Sequence, residues 1–131
     1  MKSRKRTAAL VLAVCLILVI VPNHQAHARY THTDIFNISL DFSGTTATCK
    51  TTVVGNSAVT RIEADLTLYR IDANGNDIFV ASWNPSANQD YLTYTGTGTV
   101  IRGWTYKLVV TAKVTRGTTE TISLAVERHC A

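Results

Sequence analysis

Few residues of this chain could perform catalysis, and they lie far apart in the sequence. A histidine beside a carboxylate is a common acid–base pair, but beyond residue 28 only His32 and His129 are present. Glu63 and Asp65 are two residues apart, which on a β-strand puts both carboxyl groups on one face. Because they alternate with apolar residues, we predict that they form a solvated outer face. The sequence therefore predicts no catalytic residue and no enzyme.

The acidic segment from residue 72 resembles the first half of a calcium-binding loop. Asp72, Asn74 and Asn76 have the spacing of the first three ligands. Asp77 stands where such a loop has glycine, and Trp83 stands at the twelfth position, where it has glutamate. The central Asn-Gly pair is typical of a tight hairpin turn. We therefore predict a turn, with no metal ion and no cofactor.

Three aromatic residues are the best candidates for contact with a ligand: Tyr69, Trp83 and Trp104. A β-sandwich can stack sugars on aromatic rings or bind proteins through them. Tyr69 alternates with apolar residues, and it is predicted to point outward and to be the best exposed candidate of the three. Trp104 has the parity of a buried face, and Trp83 is also compatible with a place in the core. Whether these rings are exposed decides whether they form a binding surface.

Three cysteines are present: Cys15, Cys49 and Cys130. Cys15 lies in a segment that we predict to be removed, and in an exported protein the remaining pair usually forms a disulfide. A Cys49–Cys130 bridge would close a loop of about 82 residues, worth roughly 4–5 kcal/mol in the chain-entropy model. Two free thiols, or half of a metal site, are the alternatives.

Residues 1–28 have the three parts of a secretory signal peptide. Four basic residues precede an apolar run of about 14 residues, and Ala26-His27-Ala28 has the small-x-small pattern of a cleavage site. A membrane-spanning helix needs roughly 20 apolar residues. A lipoprotein signal would place Cys15 at the cleavage point, but bulky Val14 precedes it. We therefore predict a signal peptide over 1–28, a single domain over 29–131, and secretion to the extracellular space.

Removal of this segment changes the charge of the protein. The whole chain has 13 basic and nine acidic residues, but four of the basic residues and none of the acidic ones lie within residues 1–28. The remaining domain is neutral, and its basic residues are scattered. The sequence therefore predicts no nucleic-acid partner and, after cleavage, no membrane association. The expected partner is an extracellular glycan or protein, and the expected state is a monomer or a weakly self-associating chain.

Apolar and polar residues alternate with a period of two along most of residues 29–131, and threonine is the commonest residue there. Both features are typical of β-strands with one solvated face. We predict an all-β, antiparallel, immunoglobulin-like β-sandwich of about seven strands. Gly96 and Gly98 suggest a bulge or a bend. In this topology Cys49, early in the second strand, and Cys130, at the end of the last strand, would meet at one end. The predicted strands cover residues 36–42, 47–53, 62–69, 78–83, 91–99, 105–114 and 121–130.

Several of these segments together resemble a family of short exported proteins of Gram-positive bacteria. The shared features are a cysteine after the first turn, a Ser-Trp pair, a Gly-x-x-Tyr strand and a C-terminal cysteine. The resemblance implies an immunoglobulin-like sandwich outside a bacterial cell, and it implies no catalytic or binding residue. The segments that carry it are Ala47-Thr48-Cys49, 62–69, 80–83, 103–108 and Cys130.

Three hypotheses for function follow from the sequence. The first is a secreted, non-enzymatic binding module for a glycan or protein. The second is a structural or matrix protein that self-associates through its edge strands, because threonine-rich strands have few charges to block edge pairing. The third is a small secreted hydrolase or effector, which would need His32 or His129 to lie beside Glu63 or Asp65.

Overall fold

The computed structural model of the protein describes residues 30–131. The predicted signal peptide and Cys15 lie outside the described residues. Within residues 30–131 no helix long and apolar enough to cross a membrane is present. The described chain forms eight strands: β1 (Thr33–Ser43), β2 (Thr46–Gly55), β3 (Arg61–Ile71), β4 (Asp77–Trp83), β5 (Ser86–Ala87), β6 (Tyr91–Thr99), β7 (Thr105–Arg116) and β8 (Thr118–His129).

The strands form two antiparallel sheets. Sheet A has the order β1-β2-β6, and sheet B has the order β4-β3-β7-β8, with the two-residue strand β5 also paired with β3. Strands two and six therefore share one sheet, while strands three, seven and eight share the other, as in immunoglobulin-like sandwiches. The predicted all-β antiparallel sandwich is confirmed, with the short β5 as an additional strand in the loop before β6.

The core lies between the inner faces of the two sheets. In β3 and β7 every second residue is buried, from Ile62 to Leu68 and from Tyr106 to Val114. This alternation arises because successive side chains of a strand point to opposite faces. Full burial of one large aliphatic side chain contributes about 1.5–3 kcal/mol, so these two central strands of sheet B supply much of the stabilising apolar contact.

One end of the sandwich, which we call the Trp104 end, is closed by backbone hydrogen bonds between loops. Val100 N–H donates to the Thr45 carbonyl at 2.8 Å, Gly103 N–H donates to the Cys130 carbonyl at 2.6 Å, and Cys130 N–H donates to the Trp104 carbonyl at 2.8 Å. The β1–β2 turn, the segment between β6 and β7, and the C-terminus therefore meet at this end.

The predicted Cys49–Cys130 disulfide is wrong, because Cys130 lies at the Trp104 end whereas Cys49 lies further inside the sandwich. Both residues are buried free thiols. Cys130 follows β8, and its Sγ lies 3.7 Å from the Gly44 carbonyl oxygen in the β1–β2 turn. Cys49 lies three residues into β2, about 10 Å from the start of the strand, where it pairs with Leu40 and Gly96. The start of β2 and the end of β8 lie at the same end of the sandwich, as predicted. Cys49 is too far along β2 to reach Cys130.

The two glycines of β6 do not form the predicted bulge. The pairing of β6 with β2 is regular from Thr46 opposite Thr99 to Val54 opposite Tyr91. The register shifts lie elsewhere: between Leu68 and Tyr69 in the β3–β4 pairing, and between Thr33 and Ile35 in the β1–β2 pairing. The predicted hairpin turn around Gly75 is confirmed between β3 and β4, and Gly75 has a positive φ of 83°. Gly117, in the turn between β7 and β8, has a positive φ of 75°.

Candidate functional site

The most exposed tryptophan of the protein stacks on an arginine at the Trp104 end. Arg70 is the second-last residue of β3 and has the inward parity of Leu66 and Leu68. Trp104 immediately precedes β7, in which Tyr106 pairs with Arg70. The Arg70 Cζ atom lies 4.4 Å from the centre of the Trp104 ring, within the range of a cation–π contact. Trp104 remains 37% exposed, so the stack faces solvent.

Two exposed isoleucines belong to the same end of the sandwich. Ile78 pairs with Arg70 across the β3–β4 ladder. Ile101 lies in the segment before Trp104, and its N–H donates to the Tyr106 hydroxyl at 2.8 Å. Ile78 is 39% exposed and Ile101 is 55% exposed. The Arg70–Trp104 stack is therefore accompanied by solvent-exposed apolar surface, which is the usual composition of a binding site.

The Arg70 guanidinium has no acidic side-chain partner within the described residues. The ion pairs of residues 30–131 use Arg61, Lys107 and Arg128, and Arg70 Nε is buried without a hydrogen-bond partner. The buried Nε cannot reach a ligand, so the four donors of the two Nη groups are the ones that Arg70 could offer to a ligand. Arg102, beside Gly44, adds a second positive charge to this end.

Asp72 is the acidic residue nearest to Arg70 in sequence, and its carboxylate is hydrogen-bonded within its own turn. Asp72 accepts hydrogen bonds from the backbone N–H groups of Asn74, at 2.9 Å, and Asn76, at 2.8 Å. The Asn76 N–H is the main cause of the lowered pKa of this carboxyl, and the positive charge of Arg70 contributes to a smaller extent. Asp72 therefore shapes the hairpin rather than pairing with Arg70, and the predicted turn is confirmed.

Tyr69 lies on the outer face of sheet B, as predicted, but it is only half-exposed. Lys107 Nζ lies 5.7 Å from the centre of its ring and 2.6 Å from the Asp77 carboxylate. Phe79 of β4 lies opposite Tyr69 of β3 and is 62% exposed. The sequence pattern of residues 78–83 does not show which face points inward, and the register shift between β3 and β4 places Phe79 on the outer face opposite Tyr69.

Trp83 does not form part of an exposed platform. Its ring is half-buried and packs against the core. A Cβ atom placed on Gly96 would lie 2.7 Å from the Cε2 atom of Trp83, so the ring rests directly on the glycine backbone. Of the three predicted aromatic candidates, Trp104 is thus the best exposed, Tyr69 is intermediate and Trp83 packs between the sheets.

The structure keeps the possible acid–base residues apart. Glu63 pairs with Arg61 at 2.8 Å, and Asp65 accepts a hydrogen bond from the Asn84 side chain. His32 contacts the hydroxyls of Thr31 and Thr118, while His129 contacts the hydroxyl of Thr105. In residues 30–131 no three His, Cys, Asp or Glu side chains are grouped so that they could hold a metal ion.

A separate cleft of about 260 Å³ lies between β1 and β8, away from Trp104. Its lining is mainly apolar and includes Phe36, Ile38 and Val126, with Asn37 as the polar residue. It contains neither an exposed aromatic ring nor a charged side chain. We therefore regard the Trp104 end, which offers both, as the candidate site.

No protein-family model matches this chain, and no curated protein matches it. The resemblance to short exported proteins of Gram-positive bacteria accordingly stays a prediction.

Proposed function

We propose that the protein is a secreted, non-enzymatic binding module, and that its Trp104 end binds an extracellular carbohydrate. The observation that carries this proposal is the solvent-facing stack of Trp104 on Arg70, 4.4 Å from ring centre to Cζ. A ring held in this way presents an apolar surface of fixed orientation next to unused hydrogen-bond donors.

The stacked pair suits the two chemical faces of a sugar ring. The C–H groups of a pyranose form an apolar face that packs on an aromatic ring, and its hydroxyl groups accept hydrogen bonds at the rim. Arg70 supplies donors in a planar fork, and its side chain loses little conformational freedom on binding, because it is already packed against Trp104. Ile78 and Ile101 would exclude water from the edges of the contact.

A protein partner is the principal alternative at the same end. Trp and Arg are also the residues that dominate protein–protein interfaces, and the exposed isoleucines would suit such a contact. We favour carbohydrate because the large exposed apolar side chains here lie beside the unpaired guanidinium groups of Arg70 and Arg102 rather than forming an uninterrupted apolar patch. A sugar site combines a few apolar contacts with several hydrogen bonds in this way.

Secretion is part of the same proposal, because residues 1–28 have the three parts of a secretory signal peptide. Expression of the full chain in a Gram-positive host should release a product that begins at Arg29, because cleavage is expected after Ala28. Intact mass spectrometry of the culture medium measures this directly. A product retained in the cell with residues 1–28 still attached would contradict it.

The carbohydrate proposal is tested by screening the exported protein on an array of neutral and acidic glycans. The wild-type protein should bind a defined group of glycans, and Trp104→Ala should lose that binding while it stays folded. Tyr91→Ala is the matched control, since Tyr91 is an exposed aromatic residue at the start of β6, away from the Trp104 end. An array without binding, together with capture of a protein through Trp104, would favour the alternative.

A further inference from the structure

Of the four edge strands in the described sandwich that are seven or more residues long, β6 is the least protected. Edge strands are usually guarded by charged side chains or by bulges, because their unpaired backbone groups can bind another strand. β6 is nine residues long, has no charged residue and pairs regularly with β2. The other three carry charged residues. β1 has Asp34 and Asp41, and β4 has Asp77, and each of these two strands also has a register shift. β8 has Glu120, Glu127 and Arg128.

The side chains of β6 leave this edge flat and polar. Thr93, Thr95, Thr97 and Thr99 are all exposed on the outer face of sheet A. On the inner face, Gly96 and Gly98 carry no side chain, and the Trp83 ring fills the space above them. Within residues 30–131 the ladder with β2 is the only backbone pairing of the strand, so about half of its backbone groups face outward.

We infer that the β6 edge pairs with the β6 edge of a second copy of this chain, antiparallel and around a two-fold axis. The product would be a continuous six-stranded sheet made from the two copies of sheet A. Pairing over the full length of the strand puts Thr95 opposite Thr95 of the second copy, and Thr93 opposite Thr97 of the second copy. Both copies use the same surface, as a closed two-fold dimer requires.

The occupant is a second copy rather than a different peptide because the strand is complementary to itself. Threonines directly opposite each other on antiparallel strands form favourable pairs, and this register matches threonine with threonine at every outward position from 93 to 97. No charge on the strand opposes the approach of an identical strand. The contact involves a single strand from each chain, so we expect a weak dimer that forms at high protein concentration.

Sedimentation velocity of the exported protein, from about 1 μM to 1 mM, tests this inference with two matched double variants. Thr93→Lys/Thr97→Lys places like charges opposite each other across the axis, whereas Thr93→Lys/Thr97→Glu places opposite charges there. The wild-type protein should dimerise, the first variant should dissociate at least tenfold more readily, and the second should dimerise at least as tightly as the wild type.

Two outcomes would overturn the inference. One is a wild-type protein that remains monomeric at 1 mM. The other is a pair of double variants with the same dissociation constant, which would show that positions 93 and 97 do not face each other. If Thr93→Lys/Thr97→Lys fails to fold by circular dichroism, Thr95→Lys replaces it, because this change also brings like charges together at the axis. Glycan binding by the Trp104 end is measured separately and is not affected by either result.

Discussion

The indole ring of Trp83 lies where any side chain on Gly96 would have to stand. A Cβ atom on Gly96 would be 2.7 Å from Trp83 Cε2 and 2.8 Å from Trp83 Cδ2, closer than non-bonded carbon atoms can approach. Trp83 belongs to β4 of sheet B, and Gly96 belongs to β6 of sheet A. The contact therefore joins the two sheets on the side where β4 and β6 are the edge strands.

Gly96→Ala should destabilise the protein by about 1–3 kcal/mol, the usual cost of inserting a methyl group into a packed core. Gly98→Ala is the control in the same strand, because a Cβ atom there would find its nearest neighbour at 3.7 Å, an ordinary contact. Urea unfolding of both variants gives the two free energies. Equal stabilities for Gly96→Ala and Gly98→Ala would show that the ring does not rest on Gly96.

The two buried cysteines should be unreactive thiols in the folded protein. Burial raises the pKa of Cys49 to about 11, so very little of the reactive thiolate forms at neutral pH, and Cys130 is fully buried. In a Cys15→Ser background, a thiol reagent should react with almost no groups in buffer. It should react with two groups per chain in 6 M guanidinium chloride. Denatured, unreduced protein without reactive thiols would contain the disulfide that the structure lacks.

Glu120 connects the start of β1 to β8 and should make the fold sensitive to acid. Its carboxylate accepts hydrogen bonds from Thr31 N–H at 2.6 Å, Thr31 O–H at 2.7 Å, His32 N–H at 3.0 Å and Thr33 O–H at 3.1 Å. Partial burial acts to raise the pKa of Glu120, but these hydrogen bonds outweigh it, and the net pKa is lowered. The anion is thus favoured more in the folded chain than in the unfolded one.

It follows that the stabilisation from Glu120 is present above the ordinary glutamate pKa of about 4.3. This stabilisation is lost as the pH falls through the lower pKa of the folded state. Glu120→Gln should be less stable than the wild type at pH 7, and the difference should shrink towards pH 3. Urea unfolding of both proteins at pH 7 and at pH 3 measures this difference in stability. A difference that is the same at pH 7 and pH 3 would mean that the Glu120 charge has no role in joining β1 to β8.

The alternation of apolar and polar residues was enough to predict the sandwich, but not the contacts between its two sheets. The alternation of β7 from Tyr106 to Val114 is uninterrupted, and the structure buries every predicted inward residue of this strand. Gly96 and Gly98 suggest a bulge or a bend in the sequence, because the sequence does not show that Trp83, from the other sheet, needs the space above Gly96. Contacts between the sheets depend on how the two layers are placed, and period-two patterns carry no information about that.

The candidate site shows the same limit. Trp104 has inward parity, but it precedes the first paired residue of β7, and at the end of the sandwich an inward direction leads to solvent rather than to core. Arg70 also has inward parity in β3, and a charged residue at such a position was a signal that could have identified this end. Phe79 could not be placed from sequence, since the register shift opposite Tyr69 reverses its direction.

The most direct test of the binding proposal is the dissociation constant for one array-selected glycan, measured by isothermal titration calorimetry with three proteins. The wild type and Tyr91→Ala should bind with equal affinity. Trp104→Ala should bind at least tenfold more weakly, a loss of about 1.4 kcal/mol, while its unfolding free energy stays close to that of the wild type. Equal affinities for the wild type and Trp104→Ala would place the ligand elsewhere on the molecule and contradict the proposed site.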